Sequence, residues 1–472
     1  MKNRNIKLVT LENIILFYVV LCPILDITSF LFRKNFNTNF SPSTIIRPII
    51  PILSFIIIFI KDKNKASKIL IGIIYFIYAI LHLIIFQKLH NESSYGNIIN
   101  EIQYIVNYSL MIINLYVFSN VIKKENKIKN AVLISLFIYV FSIFISIITK
   151  TSSHTYLEGI GFKGYFESGN SLCTVLLLSV CILISNIKKG EYLKTILIII
   201  TGIYLIFFSG MRTGIFGFSL VIVIYFFSFV FIPKKSNNTV TKKQILILTI
   251  VIVSFIVLFI ALVPRLMERR RLLKENELRN IDEETLKQRY VTGDILILYK
   301  QIKNNGITEE YMSEAEQKAI IDLCEYAEKT KLSNVNLRKQ QFIYNLFLIK
   351  EQKNLLFILF GNGYKNQTGE LVMEMEIPAL ICNFGILGLL LYMGPFLLIF
   401  IENSYYILKN IKIFNIQKLM YLTGIGLALG LSIFSGYVFF VFSSMAMVII
   451  LNILLFRENN IETNLFKNRR KV

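Results

Sequence analysis

The sequence has little of what soluble enzymes carry at their surfaces and metal sites. Only 17% of its 472 residues are charged, against about 25% in an ordinary soluble protein. This excludes the three soluble domains that the length alone would allow. Trp is absent, and the three His residues have no metal-ligand spacing. Four of the five cysteines lie in apolar runs, which argues against a disulfide scaffold. The sequence also contains no Walker, serine-elbow or zinc signature.

Long apolar runs are present instead. Hydrophobic residues make up 54% of the chain, and they cluster in runs of about 20, the length that crosses a bilayer core about 30 Å thick. The pattern predicts an all-α polytopic membrane protein with about twelve transmembrane spans, the first of them a retained helix rather than a signal peptide. The predicted spans are residues 11–32, 44–60, 69–86, 102–122, 131–148, 171–187, 193–209, 213–232, 245–263, 377–401, 419–435 and 437–456.

Lys and Arg are unevenly distributed among the connections between these spans. The connections on one side, together with both termini, hold 26 of them, whereas the short connections on the other side hold 7. Because cytoplasmic connections are the basic ones, both termini are predicted to lie on the cytoplasmic side of the cell membrane. The net charge of +21 is then mostly a topology signal and needs no nucleic-acid partner.

One connection is far longer than the others. Residues 264–376 form a segment of 113 residues with 18 basic and 18 acidic side chains, and the alternation of sides places it outside the cytoplasm. Apolar residues recur there at helical spacing in three stripes, the second after the capping box Ser313-x-x-Glu316. The predicted division is spans one to nine (1–263), a helical cap (264–376), and spans ten to twelve with a basic tail (377–472). The stripes are Val291, Ile295, Leu298 and Ile302; Ile320, Leu323, Cys324 and Ala327; and Phe342, Leu346 and Ile349.

Arg212 is the strongest candidate for chemistry near the predicted spans. It stands in the segment 209–214, SGMRTG, in a very short connection between two spans. Small neighbours let other groups approach the guanidinium closely, and Arg grips two phosphate oxygens at once, which Lys does not. The alternative is an arginine that only snorkels to the membrane surface.

Two acidic residues close the long connection. Glu374 and Glu376 precede span 377–401 and are candidates for a general base, an arginine partner or a metal ligand. The alternative is a polar helix start, where the helix dipole favours acids. Asp26 and Arg47, near the outer ends of spans one and two, are predicted to form a structural ion pair.

Four further charges are candidates for substrate binding. Arg265 begins a basic cluster after span nine, and Arg289 and Arg338 each precede an apolar stripe of the cap. The alternatives are an interfacial cluster for the first and solvated charges for the other two. Glu167, in a shorter outer connection, is also placed to face a substrate.

Several segments occur in a characteristic order. GYFESGN at 164–170 precedes an apolar span, SGMRTG follows at 209–214, and the long loop leads to LFGNGY at 359–364, Glu374-x-Glu376 and FGILG at 384–388. Read together over about residues 164–395, they resemble the O-antigen ligase and polymerase superfamily of bacterial envelopes. Ligases of that superfamily usually carry a His near the loop exit, and this loop has none. Its acid pair is instead similar to the acidic residues that polymerase-like members carry at this place.

The resemblance implies a GT-C-type membrane glycosyltransferase that acts on undecaprenyl-diphosphate-linked sugars at the outer face of the cytoplasmic membrane, and it favours a repeat-unit polymerase. Arg212, with Arg338 or Arg289, would stabilise the leaving diphosphate, and Glu374 or Glu376 would take the acceptor's proton. The reaction would invert the anomeric centre without a cofactor or metal. Expected partners are the lipid-linked donor, a glycan acceptor, membrane lipid and other envelope polysaccharide proteins. A ligase for a wall or lipid acceptor and a lipid-linked oligosaccharide flippase or transporter are the alternatives.

Overall fold

The structure, a computed structural model, is almost entirely helical over the residues it describes. These are residues 2–36, 41–62, 65–89, 95–155, 161–187, 190–231, 293–305, 313–330, 332, 337–364, 371, 373–409 and 415–459. In order, the helices are α1 Lys2–Phe36, α2 Pro42–Lys61, α3 Lys65–Leu89, α4 Tyr95–Val121, α5 Glu125–Ile148, α6 Gly169–Ile184, α7 Tyr192–Ile203, α8 Arg212–Phe231, α9 Gly293–Asn305, α10 Glu314–Thr330, α11 Leu337–Gln352, α12 Leu355–Phe360, α13 Glu376–Lys409, α14 Ile416–Phe434 and α15 Phe442–Glu458.

The predicted spans correspond well to these helices. Seven helices within the described ranges are long and apolar enough to cross a membrane, and three more apolar helices are shorter. Eleven of the predicted spans fall on helices, whereas span 245–263 lies outside the described residues. The break between the last two spans is confirmed, because α14 ends at Phe434 and α15 begins at Phe442. The count of twelve spans and the GT-C arrangement stay predictions.

A small hairpin corrects the expectation of an all-α chain. β1, Ser153–His154, pairs antiparallel with β2, Phe162–Gly164, between α5 and α6. The Ser152 hydroxyl accepts from Gly164 N (3.0 Å) and the Ser153 hydroxyl donates to Gly164 O (2.6 Å). Such short strands carry no alternating apolar pattern, so hydrophobic periodicity could not reveal them.

The chain divides into two compact units. Unit 1 comprises Met1–Lys68, Asn107–Thr241 and Tyr392–Val472, and unit 2 comprises Ile69–Val106 and Lys242–Leu391. In unit 1, α6 packs against α5, α7, α8, α14 and α15, and every side chain from Leu172 to Ile184 is buried. A helix that is hydrophobic on all sides belongs inside a bundle, and α6 occupies that position.

Unit 2 contains the helical cap. Its core joins α9, α10 and α11 through Ile295, Ile320, Leu323 and Tyr344. The second predicted stripe is confirmed, and so are the described members of the first, whereas Val291 lies outside the described residues. The capping box is also present, since Ser313 N donates to Glu316 Oε2 (2.8 Å) and Glu316 N donates to Ser313 Oγ (3.3 Å). Each bond satisfies an amide at the start of α10 that has no helical partner.

The third predicted stripe is wrong. Phe342 and Leu346 are exposed, and the buried face of α11 consists of Gln340, Gln341, Tyr344, Asn345 and Leu348. Polar members of this face make hydrogen bonds: Asn345 Nδ2 donates to Gln341 O (2.8 Å). Buried amides with hydrogen-bond partners are tolerated inside a protein, and here they displace the expected apolar face.

Candidate active site

In unit 1, the segment 209–214 is shaped by an irregular junction between α7 and α8. α7 continues into a π-helical turn, Tyr204–Phe208, and the hydroxyl oxygen of Ser209 then accepts a bond from Met211 N (3.2 Å). Gly210 has φ of +67°, a conformation that glycine adopts without the steric penalty of a Cβ atom. The junction therefore ends abruptly, and α8 begins at Arg212.

The same junction packs against the connection between α5 and α6. The Thr155 hydroxyl donates to Ser209 O (2.9 Å), and a Cβ at Gly161 would lie 2.5 Å from that carbonyl oxygen. On the other side of the junction, the Thr213 hydroxyl lies 3.5 Å from Asn170 Oδ1. The last of these contacts joins the GYFESGN and SGMRTG segments, and together the contacts hold the backbone next to the arginine.

Arg212 itself is exposed. Within the described ranges it makes no hydrogen bond or ion pair, so its guanidinium keeps a fork of donors for a ligand. It is also the first residue of a helix, where the amide dipoles favour a bound anion. The predicted role as an anion-binding residue stays a prediction, and this geometry is compatible with it.

Glu167 lies in the same unit and has cationic neighbours. Its carboxylate pairs with Arg33 (Nη1–Oε2 2.9 Å), with both side chains partly exposed. Lys163 Nζ donates to Glu167 O (2.8 Å), and partial burial lowers the pKa of Lys163. An exposed pair of this kind adds little stability, so the contact with Arg33 does not prevent Glu167 from facing a ligand.

In unit 2, Arg338 and Glu374 form an ion pair although 36 positions separate them in the sequence. The Arg338 Nε atom lies 3.0 Å from Glu374 Oε2, and the two side chains are 38% and 35% exposed. Arg338 stands in the first turn of α11, and Glu374 stands in the non-helical stretch before α13. Two of the residues that the sequence singled out are thus brought into contact.

The backbone of Glu374 is also held. Glu374 N donates to Gln341 Oε1 (3.2 Å), and Gln341 is buried one turn after Arg338 on α11. One helix therefore holds both the side chain and the amide of the acidic residue. An interior glutamine such as Gln341 has no distinguishing local pattern in the sequence, and Arg33 belongs to no motif there.

The two acids of the pair differ in environment. Glu376 is the first residue of α13 and is buried, with 5% exposure, whereas Glu374 is about one-third exposed. An acid in the first turn of a helix is favoured by the dipole, which suits a structural contribution from Glu376. Glu374 is the more accessible of the two acids.

Two predicted residues, Arg265 and Arg289, lie outside the described residues. Among the residues that the structure does describe, no three His, Cys, Asp or Glu side chains converge as a metal site requires. A reaction without metal stays a prediction.

Comparison with known proteins gives a family match over most of the chain. A family model described as O-antigen ligase like membrane protein matches residues 9–460. No curated protein matches the sequence.

Proposed function

The chain belongs to the O-antigen ligase like membrane protein family, and on that premise we propose that it polymerises lipid-linked oligosaccharide repeat units. Membership itself makes the chain a membrane protein of the glycan-processing ligase and polymerase class, with a lipid-linked glycan and an acceptor as substrates. The finer proposal is an inverting, metal-independent glycosyltransferase that uses undecaprenyl-diphosphate donors at the outer face of the cytoplasmic membrane.

The single observation that carries the mechanism is the Arg338–Glu374 ion pair. Glu374 is half-buried just before α13, its amide is held by Gln341, and a cation lies 3.0 Å from its carboxylate. A general base must be held rigidly and remain accessible to the acceptor. Glu374 meets both conditions.

In the proposed reaction, the hydroxyl oxygen of the acceptor attacks the anomeric carbon of the donor. The bond from that carbon to the diphosphate oxygen breaks, and the electron pair leaves with undecaprenyl diphosphate. Glu374 takes the hydroxyl proton. Arg212, which is unpaired within the described ranges, binds the phosphate oxygens and stabilises the charge that develops on them.

The ion pair also suggests how the donor prepares the base. A diphosphate is a more highly charged partner for Arg338 than one carboxylate is, and arginine binds phosphate through two parallel bonds. When the guanidinium turns to the donor, the Glu374 carboxylate is released from its cation and can accept a hydrogen bond from the hydroxyl of the acceptor. The acceptor's proton is then taken only after the leaving group is bound. Glu376, which is buried, supports this segment and is the second candidate for the base.

A ligase is the second candidate, because the family description names ligase activity. Both reactions use the same donor chemistry and differ in the acceptor. The test is deletion of the gene followed by analysis of envelope glycans. Single repeat units without long chains indicate a polymerase, long chains that remain on the polyprenyl lipid indicate a ligase, and units trapped on the inner leaflet would contradict both and indicate a flippase.

A further inference from the structure

A fully buried pair in unit 2 lies at the exit of the cap. His82 of α3 and Glu101 of α4 are both 0% exposed, with His82 Nε2 2.7 Å from Glu101 Oε1. The other ring nitrogen, Nδ1, lies 2.7 Å from Phe360 O. The other carboxylate oxygen of Glu101 accepts from Tyr364 N (2.7 Å). The pair thus bonds to Phe360, just before the turn 361–364, and to Tyr364, the last residue of that turn.

The partners determine where the protons lie. Because the Phe360 carbonyl oxygen can only accept, Nδ1 of His82 carries a hydrogen. The pair is then either an imidazolium facing a carboxylate or a neutral imidazole that accepts from a protonated Glu101. Both forms are neutral overall and make the same bonds, and both satisfy polar groups whose burial would otherwise be unfavourable.

The turn held by this pair is itself joined to a kink in α13. Gly385 has φ of +70° inside that helix, so the helical bonds that would span it are interrupted. A Cβ at Gly385 would lie 2.3 Å from Leu359 O. The released carbonyl oxygens accept other donors: Cys382 O from Asn362 N (2.9 Å), Asn383 O from Gly363 N (2.8 Å) and Phe384 O from Tyr78 Oη (2.6 Å).

The same turn contacts the segment that carries the acids. Tyr364 packs on the small cluster of Met373, Ala379 and Cys382, which flanks Glu374 and Glu376 in the sequence. On its other side Tyr364 stacks on Tyr104 of α4, with ring centroids 3.7 Å apart and planes 7° from parallel. Displacement of the turn would therefore move the surface against which the acid segment is packed.

We propose that His82 and Glu101 are positioning residues for Glu374 and Glu376. Both are fully buried, so they act through the turn 361–364 and not on a substrate. The loop itself contains no histidine; the histidine at its exit is contributed by α3. The consequence for catalysis rests on the proposed function, whereas the consequence for the packing of Cys382 does not.

The test compares three variants of the full-length purified protein in lipid nanodiscs. His82→Phe combined with Glu101→Met removes the bonds to the turn but leaves no buried charge, and apolar replacement of a buried pair is usually tolerated by the fold. Glu101→Gln retains the bonds, because its amide can donate to His82 Nε2 and accept from Tyr364 N. Tyr75→Phe is the matched control: it removes a different bond from α3, to Leu391 O of α13.

Two measurements are made on each variant. Maleimide labelling of the native cysteines, resolved by peptide mass spectrometry, follows Cys382 in the α13 segment and Cys324 in the cap, both buried in the wild type. Turnover is followed with lipid-linked repeat units extracted from cells that lack this protein. In the double variant we expect faster labelling of Cys382 alone and a kcat lower by up to about 10²-fold, the scale of a misplacement of about 1 Å. KM for the donor should stay within about twofold.

Glu101→Gln and Tyr75→Phe should both behave as the wild type. The proposal is overturned if the double variant keeps wild-type kcat and Cys382 protection, or if Cys324 is exposed together with Cys382, which would mean loss of the cap fold. The proposal is also overturned if Glu101→Gln is as impaired as the double variant. The hydrogen bonds to the turn, which Glu101→Gln retains, would then not be what sustains turnover. If Cys382 becomes reactive in the double variant while the wild type has no transferase activity, the packing role holds and the proposed function fails.

Discussion

Two of the arginine–carboxylate pairs among the described residues look alike in sequence terms and differ in structure. In unit 1, the Asp26 carboxylate pairs with Arg47 and accepts from the Tyr139 hydroxyl (2.5 Å) and the Ser443 hydroxyl (2.7 Å). That network joins α1, α2, α5 and α15, and both charged side chains are 17% exposed. In unit 2, Glu374 pairs with Arg338, and both side chains are about twice as exposed.

We interpret the Asp26–Arg47 pair as structural and propose the Glu374–Arg338 pair as a working pair, one whose partners take part in the reaction. A carboxylate that holds four helices cannot release its arginine without leaving charges buried and unpaired, which is costly. A half-exposed pair gains little stability from its contact, so a diphosphate can replace the carboxylate as the partner of Arg338. We therefore expect changes at the first pair to reduce stability and changes at the second to reduce turnover.

The largest expected effect is at the structural pair. Asp26→Ala leaves Arg47 buried without its counter-charge, and the loss of one partner of a buried pair reduces stability by about 3–5 kcal/mol. We expect little folded protein, measured by size-exclusion chromatography and thermal melting of detergent-solubilised material. Glu374→Ala, the matched variant at the exposed pair, should cost less than about 1 kcal/mol. Equal losses of stability in both variants would contradict the distinction between the two pairs.

A second prediction concerns Arg212, which no described residue neutralises. Arg212→Lys keeps the charge but loses the planar fork that binds two phosphate oxygens. We expect kcat to fall about 10²-fold, the scale of one lost oxyanion donor, with normal insertion. Arg33→Lys is the control, since its exposed contact with Glu167 should tolerate the change. Near-normal polymer from Arg212→Lys would mean that this arginine only snorkels.

The smallest expected effect is in cysteine labelling, which tests on which side of the membrane the Glu374–Arg338 pair lies. Cys324 in the cap is buried, and burial raises its pKa to about 12. Since the thiolate is the reactive form, Cys324 should label very slowly near neutral pH and faster as the pH rises toward that value. It is therefore a poor topology probe in the folded protein.

An exposed cap position gives the sharper topology test. Lys329, at the end of α10, is exposed, and Lys329→Cys should react with a membrane-impermeant maleimide in intact cells after removal of the wall. Lys409→Cys, on an exposed position at the end of α13, should react only after lysis. The reverse pattern would place the cap and Glu374 in the cytoplasm and contradict the proposed outer-face reaction.

Much of the fold follows from local patterns in the sequence. Apolar runs predicted helices such as α6 because burial on all sides requires an apolar surface on all sides. The capping box at Ser313 and Glu316 is a short-range signal, and it is confirmed. Asp26 and Arg47, two charges within adjacent apolar runs, were correctly paired because an isolated charge would be unfavourable there.

What the sequence could not reveal depends on polar groups that meet at long range. The stripe that begins at Phe342 was wrong, because periodicity assigns burial to apolar residues and α11 buries Gln341 and other amides. The contact of Gln341 with Glu374 leaves no local trace. His82 and Glu101 are a turn-holding pair only because α3 and α4 both reach the cap exit, and their separate positions have no motif.

The central claim, that Glu374 is the base of a working ion pair, is tested most directly by turnover of Glu374→Gln. Purified wild type, Glu374→Gln and Glu376→Gln are compared on lipid-linked repeat units, with and without EDTA. We predict that Glu374→Gln lowers kcat by about 10²–10⁴-fold, the scale of general-base catalysis, with unchanged melting temperature and donor KM. Glu376→Gln should lose less, and EDTA should have no effect on the wild type. Full activity of Glu374→Gln would remove this residue from catalysis, and activity lost in EDTA and restored by Mg²⁺ or Mn²⁺ would contradict the metal-free account.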